Sequence, residues 1–225
     1  MPKFYPTGGA KNFAHGIDYQ RALLLLLLAS AVNNGSPFYL GTEVRSASSF
    51  DDIVLLCEIN KSNGTGKEKV WRFLQIKHKR DVHEKISLDD LLMQGKNSKF
   101  GLPKYLVAYL KIENSAEFSD GRKYFAIATN GNFDSESLAS KNILIMKIDT
   151  EDEFLNIGNS TRYKFDSSII QYLRKNMDFI KGEVGRDVSD EEIREFLNNL
   201  MFVVNLPSED ELIEPQLRIN QYSKI

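Results

Sequence analysis

The sequence holds one cysteine, Cys57, one tryptophan, Trp71, three histidines and six prolines. A lone cysteine excludes any disulfide within the chain and suits a reducing compartment, so the expected location is cytoplasmic. The histidines, His15, His78 and His83, are scattered without the spacing of a zinc site. A membrane-length apolar run is missing. The most apolar stretch, 22–32, contains six successive leucines, but Ser30 interrupts it, and a membrane span needs roughly 20 such residues. No membrane partner is expected. Neither sign of charge dominates, since 29 Lys/Arg face 31 Asp/Glu. Bulk charge therefore does not mark a nucleic-acid binder. A glycine-rich loop ending in Lys-Ser/Thr is also absent, which excludes phosphate-loop NTPase chemistry in this chain.

What remains is ordinary for a globular protein of 225 residues, 42% of them apolar and 27% charged. A chain of this size buries roughly 70% of its unfolded surface. The first 16 residues, with Pro2, Pro6 and Gly8-Gly9, read as a loop-like lead-in. A leucine-rich core helix, apolar on all sides, is expected over 17–32 and ends at Asn33-Asn34-Gly35. Strands are expected at 38–44, 51–59 and 70–79, the last two joined through the turn-forming cluster 61–66. One or two helices then fill about 88–112, broken near Gly101-Leu102-Pro103. Further strands are expected at 123–129, 143–148 and 201–204. Helices are expected at 167–181 and 189–200, with another from Pro207. This order predicts an α/β fold, a mixed central sheet flanked by helices.

The chemistry concentrates between Glu43 and Lys79. Alternation in a strand puts Gln75 and Lys77 on one face with Trp71 and Phe73. A hairpin centred at 64–65 pairs positions that sum to about 129, which brings Asp52 opposite the Gln75–Lys77 pair. A carboxylate, an amide oxygen and an ammonium then converge on a rigid sheet. Oxygen donors of this kind suit Mg²⁺, which polarises a phosphate and acidifies water. A lysine beside them stabilises charge growing on the phosphate.

The hairpin resembles the PD-(D/E)XK nucleases, the restriction-endonuclease-like fold. More specifically, the chain resembles the N-terminal nuclease domain of bacterial anti-phage (CD-NTase-associated) double-strand DNA endonucleases. The matching stretches are Gly16-Ile17-Asp18-Tyr19-Gln20, Glu43, Phe50-Asp51-Asp52-Ile53-Val54, Gln75-Ile76-Lys77-His78 and Ala128-Thr129-Asn130. The resemblance implies a metal-dependent endonuclease that hydrolyses phosphodiester bonds of double-stranded DNA with Mg²⁺ or Mn²⁺. It implies catalytic roles for Asp52, Gln75 and Lys77, with Asp52, Gln75 and Glu43 on the metal and Asp51 and Gln20 supporting. Asp51 stays open as the metal ligand in place of Asp52. It also implies a nuclease-like core over 1–131, with 132–225 a mostly helical C-terminal extension of the same domain. Gln75 is neutral where the family often carries a carboxylate, which weakens metal binding. The alternative is a catalytically degenerate nucleic-acid- or protein-binding module on the same fold.

Local charge agrees with a DNA partner. Residues 67–111 carry 11 Lys/Arg and 5 Asp/Glu, whereas 183–214 carry 2 and 10. The expected setting is a larger assembly, either a homo-oligomer or a chain with a C-terminal effector or NTPase region. His15 and His78 read as structural, and Trp71 and Phe73 as core.

Overall fold

The computed structural model describes residues 8–60, 66–79, 81, 83–95, 97–149, 157, 159–207 and 211–212. Its framework is a seven-stranded mixed sheet in the order β1-β2-β3-β4-β7-β6-β5. The strands are β1 (Phe38–Gly41), β2 (Ile53–Asn60), β3 (Lys67–Lys77), β4 (Arg122–Thr129), β5 (Ile145–Lys147), β6 (Thr161–Phe165) and β7 (Leu200–Val204). The first three form an antiparallel meander, β4 is parallel to both β3 and β7, and β6 and β5 return antiparallel. The helices are α1 (Gly8–Asn34), α2 (Leu88–Leu92), α3 (Leu102–Glu113), α4 (Ser135–Ser140), α5 (Ile170–Leu173), α6 (Met177–Val184) and α7 (Asp190–Asn199).

Strand alternation divides the core into two layers. Ile53, Leu55, Leu74, Ile76, Ala126, Ala128, Met201 and Val203 face α1, through Tyr19, Leu23, Leu27 and Ala31. Val54, Phe73, Phe125, Ile127, Phe202 and Val204 face α3, with α5 to α7 on the same side. Burial on both faces explains why β2 and β4 read as continuous apolar runs rather than alternating ones.

The mixed sheet flanked by helices is as the sequence predicts, and several details differ. α1 begins at Gly8, so 8–16 are helical and not a lead-in loop. The helix continues through Gly8-Gly9 despite their poor propensity. It is also not buried all round. Tyr19, Leu23, Leu27 and Ala31 repeat every four residues against the sheet, while Leu25 is 48% and Val32 59% exposed on the other side. The β2–β3 register sums to 127, not 129; residues 61–65 of the connection lie outside the described residues. The segment expected as one helix over 167–181 is a chain of short α and 3₁₀ turns that leads into α6.

Residues 132–225 are more than a helical extension. They supply β5, β6 and β7, and β7 pairs directly with β4, so sheet and core run unbroken across position 131. β6, Thr161–Phe165, carries three polar residues out of five, and its polar composition hides it from hydropathy. The expected helix from Pro207 falls largely outside the described residues. Among the described residues, no helix is long and apolar enough to cross a membrane.

Candidate active site

β3 runs past the end of β2. Ile53 faces Leu74, so the preceding Asp52 reaches Gln75 and the first β3 peptide that β2 no longer covers. Asp52 Oδ2 accepts the Ile76 backbone N–H at 2.7 Å and also the Gln75 side-chain amide. Lys77, two residues on, shares the Gln75 face and pairs with Thr129 of β4. Just beyond, Asn130 clamps the chain. Its side chain accepts the Lys79 N–H at 2.7 Å and donates to the Lys79 carbonyl at 2.8 Å.

The second wall is the loop before β2. Ala47 and Phe50 are fully buried, and the Phe50 ring packs 5.2 Å from both Tyr105 and Phe125. The Val44 N–H closes the loop on the Asp51 carbonyl at 3.2 Å. Two residues here have a positive φ, Glu43 (53°) and Ser48 (55°, ψ −118°). For side chains other than glycine such backbone costs about 1–3 kcal/mol and gathers at functional sites.

The third wall is α3. Pro103 in its first turn presets the helix, and Gly101 sits where a Cβ would fall 2.2 Å from the Met93 carbonyl oxygen. Every α3 residue is buried except Lys104, Lys111 and the terminal Glu113. Positions 104, 107 and 111 fall on one helical stripe.

These walls enclose a pocket of about 490 Å³ lined by Glu43, Ser48, Ser49, Asp51, Asp52, Gln75 and Lys77 from the sheet side. Lys104, Val107, Lys111, Phe179 and Glu183 complete the lining from the helices. Five of the six residues singled out in the sequence therefore meet. Gln20 does not line the pocket. It sits on α1, across the sheet, one residue after Tyr19, whose ring lies 4.8 Å from His78. Lys104, Lys111, Phe179 and Glu183 escaped the sequence reading. Their one signal is the pair of lysines spaced by seven in the otherwise apolar segment 102–112.

Among the described residues, no group of three or more His, Cys, Asp or Glu side chains converges as a metal site. Mg²⁺ needs fewer, because it keeps several waters and takes one or two carboxylates plus substrate phosphate. Asp51 and Asp52 with the Gln75 amide oxygen match that demand in donor type. All are hard oxygen donors on one pocket wall, so the residues present fit a divalent cation completed by water and phosphate.

No protein-family model matches the chain, and no similar curated protein or solved structure was found. The electrostatics of the pocket are distinctive on their own. Burial raises the Asp51 carboxyl above its ordinary range, and the neighbouring Asp52 adds to the shift. Glu43 is raised by desolvation and then by Asp51 and Asp52. On the cationic side, burial pushes the Lys77 ammonium down, against the attraction of Asp52 and Asp51. Lys104 is pushed down to about 8 by burial and by Lys77. Three carboxylates thus crowd one another against two partly desolvated ammonium groups. Perturbed titratable groups gathered in one cleft make it a candidate functional site.

Proposed function

We propose that the chain is a metal-dependent endodeoxyribonuclease domain of the PD-(D/E)XK kind, hydrolysing phosphodiester bonds of double-stranded DNA. The observation that carries this reading is the meeting of Asp52, Gln75 and Lys77 on one face of the β2–β3 hairpin, inside the pocket that also holds Asp51 and Glu43. Asp51, Asp52 and the Gln75 amide oxygen would hold Mg²⁺ or Mn²⁺, with Glu43 at the pocket wall. When bound, such a cation supplies Lewis acidity and an acidified water. The Ile76 N–H and the Gln75 amide fix the Asp52 carboxylate before substrate arrives. Lys77 is held close to two carboxylates and partly desolvated, so its positive charge is little screened. It orients the attacking water and offsets the charge growing on the phosphate, a preorganised electrostatic role. One such site cuts one strand, so a double-strand break calls for a second site, most simply from a two-fold copy of the chain.

Nicking of supercoiled plasmid with Mg²⁺ or Mn²⁺, and with EDTA in their place, tests the reading. Metal-dependent conversion to open circles that Lys77→Ala abolishes supports it, and wild-type-like cutting by that variant overturns the mechanism. A second reading is favoured by one observation: the Gln75 amide is engaged by Asp52 and brings no negative charge to the metal. On that reading the pocket binds a nucleic acid or a protein without cutting. Duplex binding with no nicking in either metal would select it.

A further inference from the structure

Apart from the terminal Glu113, α3 is buried save at Lys104 and Lys111, two turns apart on the stripe that lines the pocket. Seven residues of helix set their Cα atoms about 10 Å apart. Lys104 lies deep, within electrostatic reach of Lys77, and its Nζ donates to the Ser98 carbonyl oxygen while 4.8 Å from the centre of the Tyr105 ring. Lys111 lies at the rim, where its Nζ stands 3.8 Å from Glu183 on α6, with both side chains close to half exposed. An ion pair that long and that wet contributes little. It holds the lysine in place without binding it tightly.

We propose that Lys104 and Lys111 form a two-cation track for the DNA backbone leading to Lys77, with Glu183 the counter-ion that a phosphate displaces from Lys111. This rests on the nuclease reading for its choice of partner. Three features of the fold support it. Both cations sit on one rigid, buried helix, so their spacing is fixed. Val107 lies between them and keeps the floor apolar. The Glu183 partner is replaceable, because a phosphate offers Lys111 the same charge at the same face. Phosphate contacts of this kind position the duplex and carry no sequence information.

The test is binding of a short fluorescent DNA duplex to the full chain, followed by anisotropy in EDTA from about 50 to 200 mM NaCl. Lys104→Gln, Lys111→Gln, the double variant and Glu183→Gln are compared with wild type. Each lysine variant should make the log–log salt slope shallower by about 0.9, and the double variant by about twice that. Glu183→Gln should bind about two- to five-fold tighter, the worth of one exposed ion pair. Wild-type slopes in both lysine variants, weaker binding by Glu183→Gln, or no duplex binding by wild type overturns the track. Lysine variants with unchanged slopes, in a protein that still nicks plasmid, remove the track and leave the nuclease reading standing. Shallower slopes in a protein that never nicks retain the track and remove the nuclease reading. Lys111→Gln alters only an exposed side chain, so its result does not depend on how Lys104 variants fold.

Discussion

Gln75 and Asp52 face each other across the β2–β3 hairpin, and the Gln75 amide donates to the carboxylate oxygen that the Ile76 N–H also holds. An amide that donates through Nε2 turns its Oε1 away from that carboxylate. Gln75 is a brace for Asp52 and also lines the pocket, so on the nuclease reading Oε1 is its one atom left for a cation. Gln75→Glu replaces the brace with a like charge. Without metal the variant should lose about 1–3 kcal/mol, the cost of a buried group left without its partner. Mg²⁺ should restore more stability to it than to wild type. Thermal melts of both proteins across a magnesium titration check this, and equal magnesium effects would deny Gln75 a place beside the cation.

The adjacent aspartates should separate in the same kind of measurement. Asp52→Ala leaves the Ile76 N–H and the Gln75 amide without their acceptor, so it should cost about 2–4 kcal/mol in urea unfolding. Burial raises the Asp51 pKa, outweighing the hydrogen bond its carboxylate makes to its own backbone, and the neighbouring Asp52 adds to the shift. Asp51→Asn should be as stable as wild type at pH 7 or more so. If Asp51→Asn is stable and dead for cleavage while refolded Asp52→Ala still cuts, the metal sits on Asp51.

Lys104 sets a pH dependence. Its folded pKa, about 8, lies below the ordinary lysine value of 10.5. The folded state thus releases a proton that the unfolded chain keeps between those limits. Stability linked to Lys104 is full above 10.5 and is lost as the pH falls through 8. Lys104→Met removes this burden. The variant should be more stable than wild type at pH 7, and the advantage should fade as the pH approaches 10.5. Paired denaturant titrations from pH 7 to 10.5 measure it, and a constant difference across that range would contradict the burial of this ammonium.

Asn130 offers a check outside the pocket. Its side chain holds both backbone groups of Lys79, two residues beyond Lys77. Asn130→Ala should cost about 2–4 kcal/mol, since it leaves both of those buried groups unpaired. Cleavage should fall with it at temperatures where the protein remains folded, because the end of β3 then moves. A variant with full stability would show that water replaces the clamp.

Asp52, Gln75 and Lys77 were legible because strand alternation and a hairpin are local rules. Two apolar runs and a turn cluster place three polar residues on one face with no knowledge of the rest of the molecule. The register still missed by two residues, since sequence alone does not show which turn residues leave the ladder. Lys104 and Lys111 were not legible as site residues. Their helix follows 25 residues after β3, and which of its faces meets the hairpin depends on Phe50, Tyr105 and Phe125 packing together. Glu183 is further still in sequence and reaches the rim only because α6 packs near α3. The exposed side of α1 was hidden for the opposite reason: six successive leucines give no moment from which to choose a face.

The parallel pairing of β4 with β7 gives the protein a timetable. The hairpin that carries Asp52 and Lys77 leaves the ribosome before β4, and the strand that covers the far edge of β4 comes about 70 residues after it. At 5–20 residues per second, translation leaves that edge bare for roughly 4–14 s. Through that interval the backbone of Phe125–Ala128 lacks its outer partner, and the hairpin is fastened to a half-built sheet. The face that carries Asp52, Gln75 and Lys77 is therefore braced in full only once β7 has been made.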